Sequence, residues 1–259
     1  MFAYCYCVLA DRQAIELFHL QFVRLLCAGP DKDRFAIKGG CNLRFFFESV
    51  RYSEDIDLDV ARIPVHKLNE RVTRILSGSA LGTPLRSRGI SITDVSAPKQ
   101  TDTTQRWKVA LGVESRSLPL HTKIEFSRRT AREEAEVAPI AASVLADYQL
   151  LPMLAPHYGV HAAMRQKVSA LAGRSTVQAR DVFDLAVLLS RTGGKLERLG
   201  GARELVAKAT DRAMEISYAD YKAQVLSYLK PENAEEYGTR AAWDAMRTQA
   251  VDALEKARS

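Results

Sequence analysis

The chain has 259 residues, 47% hydrophobic and 26% charged, which fits a globular protein of one large or two modest domains. Its 37 Lys and Arg against 31 Asp and Glu leave a net charge of +6, suited to a phosphate-rich partner such as a nucleotide or RNA. No apolar run reaches the roughly 20 residues that span a bilayer, and no Cys/His spacing matches a structural zinc site, so both classes are excluded.

The opening "MFAYCYCVLA" lacks a basic leader and a cleavage pattern. It reads as a first strand or the entry to a helix. Cys5, Cys7, Cys27 and Cys41 read as free thiols in a reducing cytoplasm, because their spacing offers no disulfide framework. Residues 14–28 carry Ile15, Leu17, Phe18, Phe22, Leu25 and Leu26 at helical spacing. "GPDKD" (29–33) is a turn and "RFAIK" (34–38) a short strand, followed by Gly39-Gly40 and an amphipathic stretch to Ser49. The strand "DIDLDV" follows, then a helix through 65–76. This alternation predicts an α/β unit.

"GISITDVS", "RWKVALGVE" and "LHTKIEF" read as three further strands of the same sheet, and 127–137 as a charged, solvated loop. From Ala146 onward the pattern is helical, with breaks at Gly193-Gly194 and Gly200-Gly201. The expected organisation is an N-terminal segment (1–29), an α/β sheet domain (30–145) and a C-terminal helical domain (146–259).

Chemistry concentrates first at 54–59, where four of six residues are acidic in a basic protein. On a strand, Asp55 and Asp57 project to one face with a backbone separation of roughly 6–7 Å, so their carboxylates can converge on a shared cation. Two divalent ions clamped in this way activate an attacking oxygen and stabilise a leaving one, and Mg2+ suits a carboxylate site completed by water and phosphates. Asp59 reads as a rim residue at the strand's end. Gly39 and Gly40, between a strand and a helix, let backbone N–H groups approach a triphosphate. Lys38, Arg44 and Arg51 are near enough in sequence to add phosphate contacts. Glu125 on a neighbouring strand is placed to complete a metal cage or to take a proton from an incoming hydroxyl. Taken alone, a solvated edge strand would explain "DIDLD", and a water-facing strand residue would explain Glu125.

The second dense region is 164–189. Lys167, Leu171 and Arg174 share a helical face, and Asp181 and Asp184 are neighbours on the next helix. Arg180 stands four residues before Asp184, the spacing of an ordinary surface pair.

In order, "KGGCNLR", "RYSEDIDLDV", "KIEF", "QKVSALAGR" and "ARDVFDL" resemble the motifs of the AbiEii/AbiGii toxin nucleotidyltransferases, within the DNA polymerase β-like superfamily. The resemblance covers about residues 35–190. It implies a polymerase β-like sheet domain followed by helices, and Mg2+-dependent transfer of NMP from an NTP with release of pyrophosphate, Mn2+ being a substitute metal. It further implies a cytoplasmic toxin, a cognate antitoxin encoded nearby, and the 3′ end of tRNA as acceptor. By residue, it implies metal binding by Asp55 and Asp57, triphosphate binding by Gly39 and Gly40, and essential roles for Lys167 and Asp184. Arg174, Arg180 and Asp181 fall in the same motifs. The sequence departs from the superfamily pattern at Gly40, where serine is frequent, and at Cys41, where many relatives carry threonine or another small residue. The alternatives are transfer to a protein or small-molecule hydroxyl, and an NTP-binding regulator without turnover.

Overall fold

The computed structural model describes residues 9–128, 135–197 and 202–258. Residues 1–8 with Cys5 and Cys7, the basic residues Arg129 and Arg132, and the Gly200-Gly201 break lie outside them. The chain forms two compact units: the chain up to Cys41 with Ser53–His157, and Asn42–Tyr52 with Tyr158 onward. Among the described residues, no helix is long and apolar enough to cross a membrane.

The first unit is built on a seven-stranded mixed sheet. Its strands are β1 (Phe35–Lys38), β2 (Ile56–Val60), β3 (Ile90–Gln100), β4 (Thr104–Val113), β5 (Leu120–Ser127), β6 (Ala135–Pro139) and β7 (Leu154–Tyr158), in the order β3-β4-β5-β2-β1-β7-β6. β1 runs antiparallel to β2, while β2 and β5 are parallel. The strands alternate as a sheet with one dry face requires: Ile56, Leu58, Val60, Trp107, Ile124 and Phe126 are buried, and the acidic and basic residues between them take the other face. Trp107 and Phe35 both pack edge-on against Phe126.

The dry face is covered by α1 (Asp11–Cys27), α3 (Val65–Ser77) and α4 (Ser79–Arg86). Leu68, Val72 and Leu76 form the buried stripe of α3 at helical spacing. α1 departs from the expected single apolar face: every residue from Ala14 to Val23 is buried, because β5, α3 and α4 all pack on it. Each fully buried Leu or Phe side chain of this core contributes about 1.5–3 kcal/mol. The same wrapping encloses three polar side chains, Glu16, His19 and Gln21.

Two expectations are corrected here. Part of the charged excursion at 127–137 is strand, since β6 begins at Ala135. The run from Ala146 is not helical throughout: β7 intervenes and pairs with β1 in parallel through Ile37 and His157.

The second unit is helical. It contains α6 (Val160–Gly173), α7 (Ala179–Arg191), α8 (Arg203–Glu215), α9 (Tyr218–Gln224), α10 (Pro231–Tyr237) and α11 (Arg240–Arg258). Its core combines Phe183, Tyr221, Trp243 and Leu254, with Tyr221 and Trp243 stacked at 4.6 Å. Residues 42–52 are tied into it, because the Tyr52 N–H donates to the Tyr228 carbonyl at 2.9 Å and Arg51 bridges to Leu229. The short α5 (Ala142–Ala146) belongs to the first unit.

Candidate active site

On the polar face of the sheet, register places charges in rows. Lys38 on β1 lies opposite Asp57 on β2, Asp57 opposite Glu125 on β5, and Glu125 opposite Arg106 on β4. Directly opposed residues share a face, so a cation, two carboxylates and a second cation line up across four strands. Asp55 sits in the bend just ahead of β2 rather than on the strand.

Among the described residues, Asp55, Glu125 and Asp59 each have a close basic partner. Lys123 reaches Asp55 twice, with its backbone N–H on Oδ1 at 2.9 Å and its ammonium on Oδ2 at 2.8 Å. Arg106 holds Glu125 Oε2 at 2.6–2.7 Å. Lys38 lies 2.6 Å from Asp59 Oδ1. Asp59 is therefore not a solvated rim residue: it is 2% exposed and paired. Burial pushes the Asp57 carboxyl above its ordinary range; Lys38 and Lys123 oppose this, and Glu125 and Asp55 add to it.

Gly39 explains why the turn before α2 (Gly39–Phe46) needs glycine. Its φ is +66°, and a Cβ there would stand 3.1 Å from Asp57 Oδ2. The glycine turn and the acidic strand are thus in contact, with Gly40 next in the same first turn.

Among the described residues, no three carboxylate, histidine or thiol side chains converge as a metal cage. Asp55 and Glu125 instead turn toward Lys123 and Arg106. The donor type nevertheless fits a hard divalent ion, which would offset the crowding of Asp57 by Glu125 and Asp55.

The second unit holds a separate buried ion network. Asp181 and Asp184 on α7 are both 0% exposed. Arg51 grips both Asp184 oxygens at 3.0 Å, and Lys167 on α6 lies 2.5 Å from Asp184 Oδ2 and 3.2 Å from Asp181 Oδ1. Arg174 adds a 2.6 Å contact to Asp181 Oδ2. Burial alone would raise the Asp184 carboxyl; the charges and hydrogen bonds of Arg51 and Lys167 bring it below its ordinary range. Among the described residues, Arg180 makes no ion pair with Asp184. Arg44 is buried, donating to the Ser49 carbonyl at 3.0 Å and lying over the Tyr52 ring.

Sequence reasoning missed Lys123 and Arg106. Lys123 was within reach: it precedes Glu125 by two residues, as Asp55 precedes Asp57, so one parallel register aligns both pairs.

The family of nucleotidyl transferase AbiEii toxins, type IV toxin–antitoxin systems, matches residues 22–258. Among solved structures, JHP933 from Helicobacter pylori is similar with a TM-score of 0.61 and 21% identity, over 96% of this chain and 95% of that one. A second H. pylori structure, described as a putative nucleotidyltransferase, gives 0.61 and 20% over 96% and 98%. MenT4, a nucleotidyltransferase toxin of Mycobacterium tuberculosis, gives 0.67 and 18% over 95% and 84%. No curated protein matches at a significant level. At these identities the structures show a shared fold, while the family match spans nearly the whole chain. This chain belongs to the AbiEii nucleotidyl transferase toxin family of type IV toxin–antitoxin systems, and it is a nucleotidyltransferase.

Proposed function

We propose that the protein transfers a nucleoside monophosphate from an NTP to the 3′ end of tRNA, using Mg2+ or Mn2+ held by Asp55 and Asp57 with Glu125. The observation that carries this reading is the alignment of Asp57 with Glu125 across β2 and β5, with Gly39 packed against Asp57. A divalent ion bound by these carboxylates would offset phosphate charge and make an acceptor hydroxyl more acidic. This chain's own groups do the rest. The backbone at Gly39 and Gly40 cradles the triphosphate, and Lys38 and Lys123 stand close enough to exchange carboxylate partners for phosphate oxygens. The acceptor oxygen bonds to the α-phosphorus, its proton passes to a carboxylate such as Glu125, and the bond to the β-phosphate oxygen breaks to release pyrophosphate.

Lys167 and Asp184 then contribute to nucleotide handling, with Lys167, at 7% exposure, as the more accessible of the two. A polyanionic acceptor is supported by the net charge of +6 and by Lys99, Arg106 and Lys108, which extend the charged rows across β3 and β4. A small antitoxin supplied by the neighbouring gene would hold the activity in check.

Incubation of the purified protein with Mg2+, tRNA and each α-labelled NTP tests the reading. Label on tRNA with pyrophosphate release supports it. Label appearing only on protein or a small molecule moves the acceptor to the alternative hydroxyls. NTP binding with no turnover on any acceptor reduces the protein to a regulator.

A further inference from the structure

Helix α1 buries a histidine that the chemistry above does not use. His19 is 1% exposed, and burial depresses its pKa to about 3, so the ring is neutral. Its Nε2 lies 2.8 Å from Thr122 Oγ1, and its Nδ1 lies 3.7 Å from Cys41 Sγ.

Hydrogen counting fixes the tautomer. The Thr122 hydroxyl has one proton, which it donates to the Glu54 carbonyl at 2.6 Å. Thr122 must therefore accept from His19, so Nε2 carries the hydrogen and Nδ1 is the acceptor. The Cys41 thiol sits on the other side of the ring, against Nδ1. Its hydrogen has two acceptors, His19 Nδ1 and the Asp55 carbonyl at 3.4 Å, and Ser53 Oγ donates to that same carbonyl at 2.8 Å.

Three parts of the site meet at this ring. Thr122 lies on β5, three residues before Glu125. Cys41 directly follows Gly39-Gly40. Glu54 and Asp55 form the bend leading into β2. We propose that His19 is a positioning residue: through Thr122 it sets the Glu54 carbonyl in the bend that carries Asp55, while its other ring nitrogen lies against Cys41, next to the glycine turn. Metal-ligating side chains depend on such outer contacts for their orientation, and losing one typically costs about 10- to 100-fold in metal affinity. The proposal rests on the reading of Asp55 as a metal-holding group.

Mn2+ titration of the nucleotide-free protein, followed by loss of the free-ion EPR signal, tests it. Thr122→Val, which keeps the shape and removes the hydroxyl, is expected to weaken Mn2+ binding about tenfold or more, and His19→Leu likewise. His19→Gln, whose amide can donate where Nε2 did, is expected to stay within about threefold of wild type. The double variant His19→Leu/Thr122→Val should be no weaker than either single one, because both break the same chain of bonds. If His19→Leu does not fold, Thr122→Val and His19→Gln still decide.

Wild-type Mn2+ affinity in folded Thr122→Val overturns the proposal. So does an equal loss in His19→Gln and His19→Leu, and so does a wild-type protein that binds no Mn2+. A wild type that binds Mn2+ with this pattern of variants but transfers no NMP leaves the positioning role standing and refutes the proposed function alone.

Discussion

Asp57 carries two burdens at once. It is a partly buried carboxylate beside two others, and Gly39 is packed against it. Asp57→Asn is expected to abolish NMP transfer, measured with labelled NTP, while the melting temperature holds or rises by about 2–4 °C, the equivalent of about 1 kcal/mol in a chain of this size. Gly39→Ala combines a left-handed backbone with a contact of 3.1 Å to Asp57 Oδ2. A cost of about 1–2 kcal/mol in urea unfolding is expected, with loss of transfer. His19 makes a pH prediction. Its native pKa is about 3 against an ordinary 6.5, so below pH 6.5 the unfolded chain binds the extra proton and the folded one does not. The resulting stability is fully present above pH 6.5 and is lost as the pH falls toward 3, by up to about 1.4 kcal/mol per pH unit. The raised pKa of Asp57 acts in the opposite direction, so the measurement is the difference in urea-unfolding curves between wild type and His19→Gln. That difference should shrink toward acid.

Among elements, α6 and α7 are joined by charge as well as by apolar packing. Asp184 is fully buried between Arg51 and Lys167, so removing it leaves the buried Arg51 without its counterion and Lys167 with Asp181 alone. Asp184→Ala is expected to destabilise the protein by about 3–5 kcal/mol in urea unfolding, whatever it does to transfer. An activity loss in that variant therefore has to be read beside its folded fraction. β2 was legible because its apolar and acidic residues alternate with period two, β3 to β5 as strand-like runs between polar links, and α3 because its apolar residues recur at helical spacing. α4 was not: "SALGTPLR" contains Gly82 and Pro84, both poor helix formers, and burial of Leu81 and Leu85 overrides that local preference. β7 was hidden for a related reason. Five residues between helical runs carry too little periodicity to declare a strand, and only pairing with β1 makes them one.

For the whole molecule, net charge is the property most directly linked to an RNA acceptor. If the acceptor is tRNA and about three phosphates are neutralised, its dissociation constant should rise roughly twentyfold between 50 and 200 mM salt, as read by filter binding. A salt-independent constant would count against a polyanionic acceptor.

Residue type, period and spacing were enough to read β2, the Gly39-Gly40 turn and Asp55, Asp57 and Glu125 as candidates, while the family was reached through the resemblance of ordered motifs. These are matters of local pattern, readable without knowing what pairs with what. Tertiary structure alone decided that Asp57 faces Glu125, that Lys123 and Arg106 neutralise the carboxylates beside it, that Asp59 is buried against Lys38, and that Arg51 belongs with Asp184 across 133 residues of chain. It also decided that His19 meets Thr122 across 103 residues. Such contacts follow from strand register and helix packing, which place residues distant in sequence within hydrogen-bonding reach.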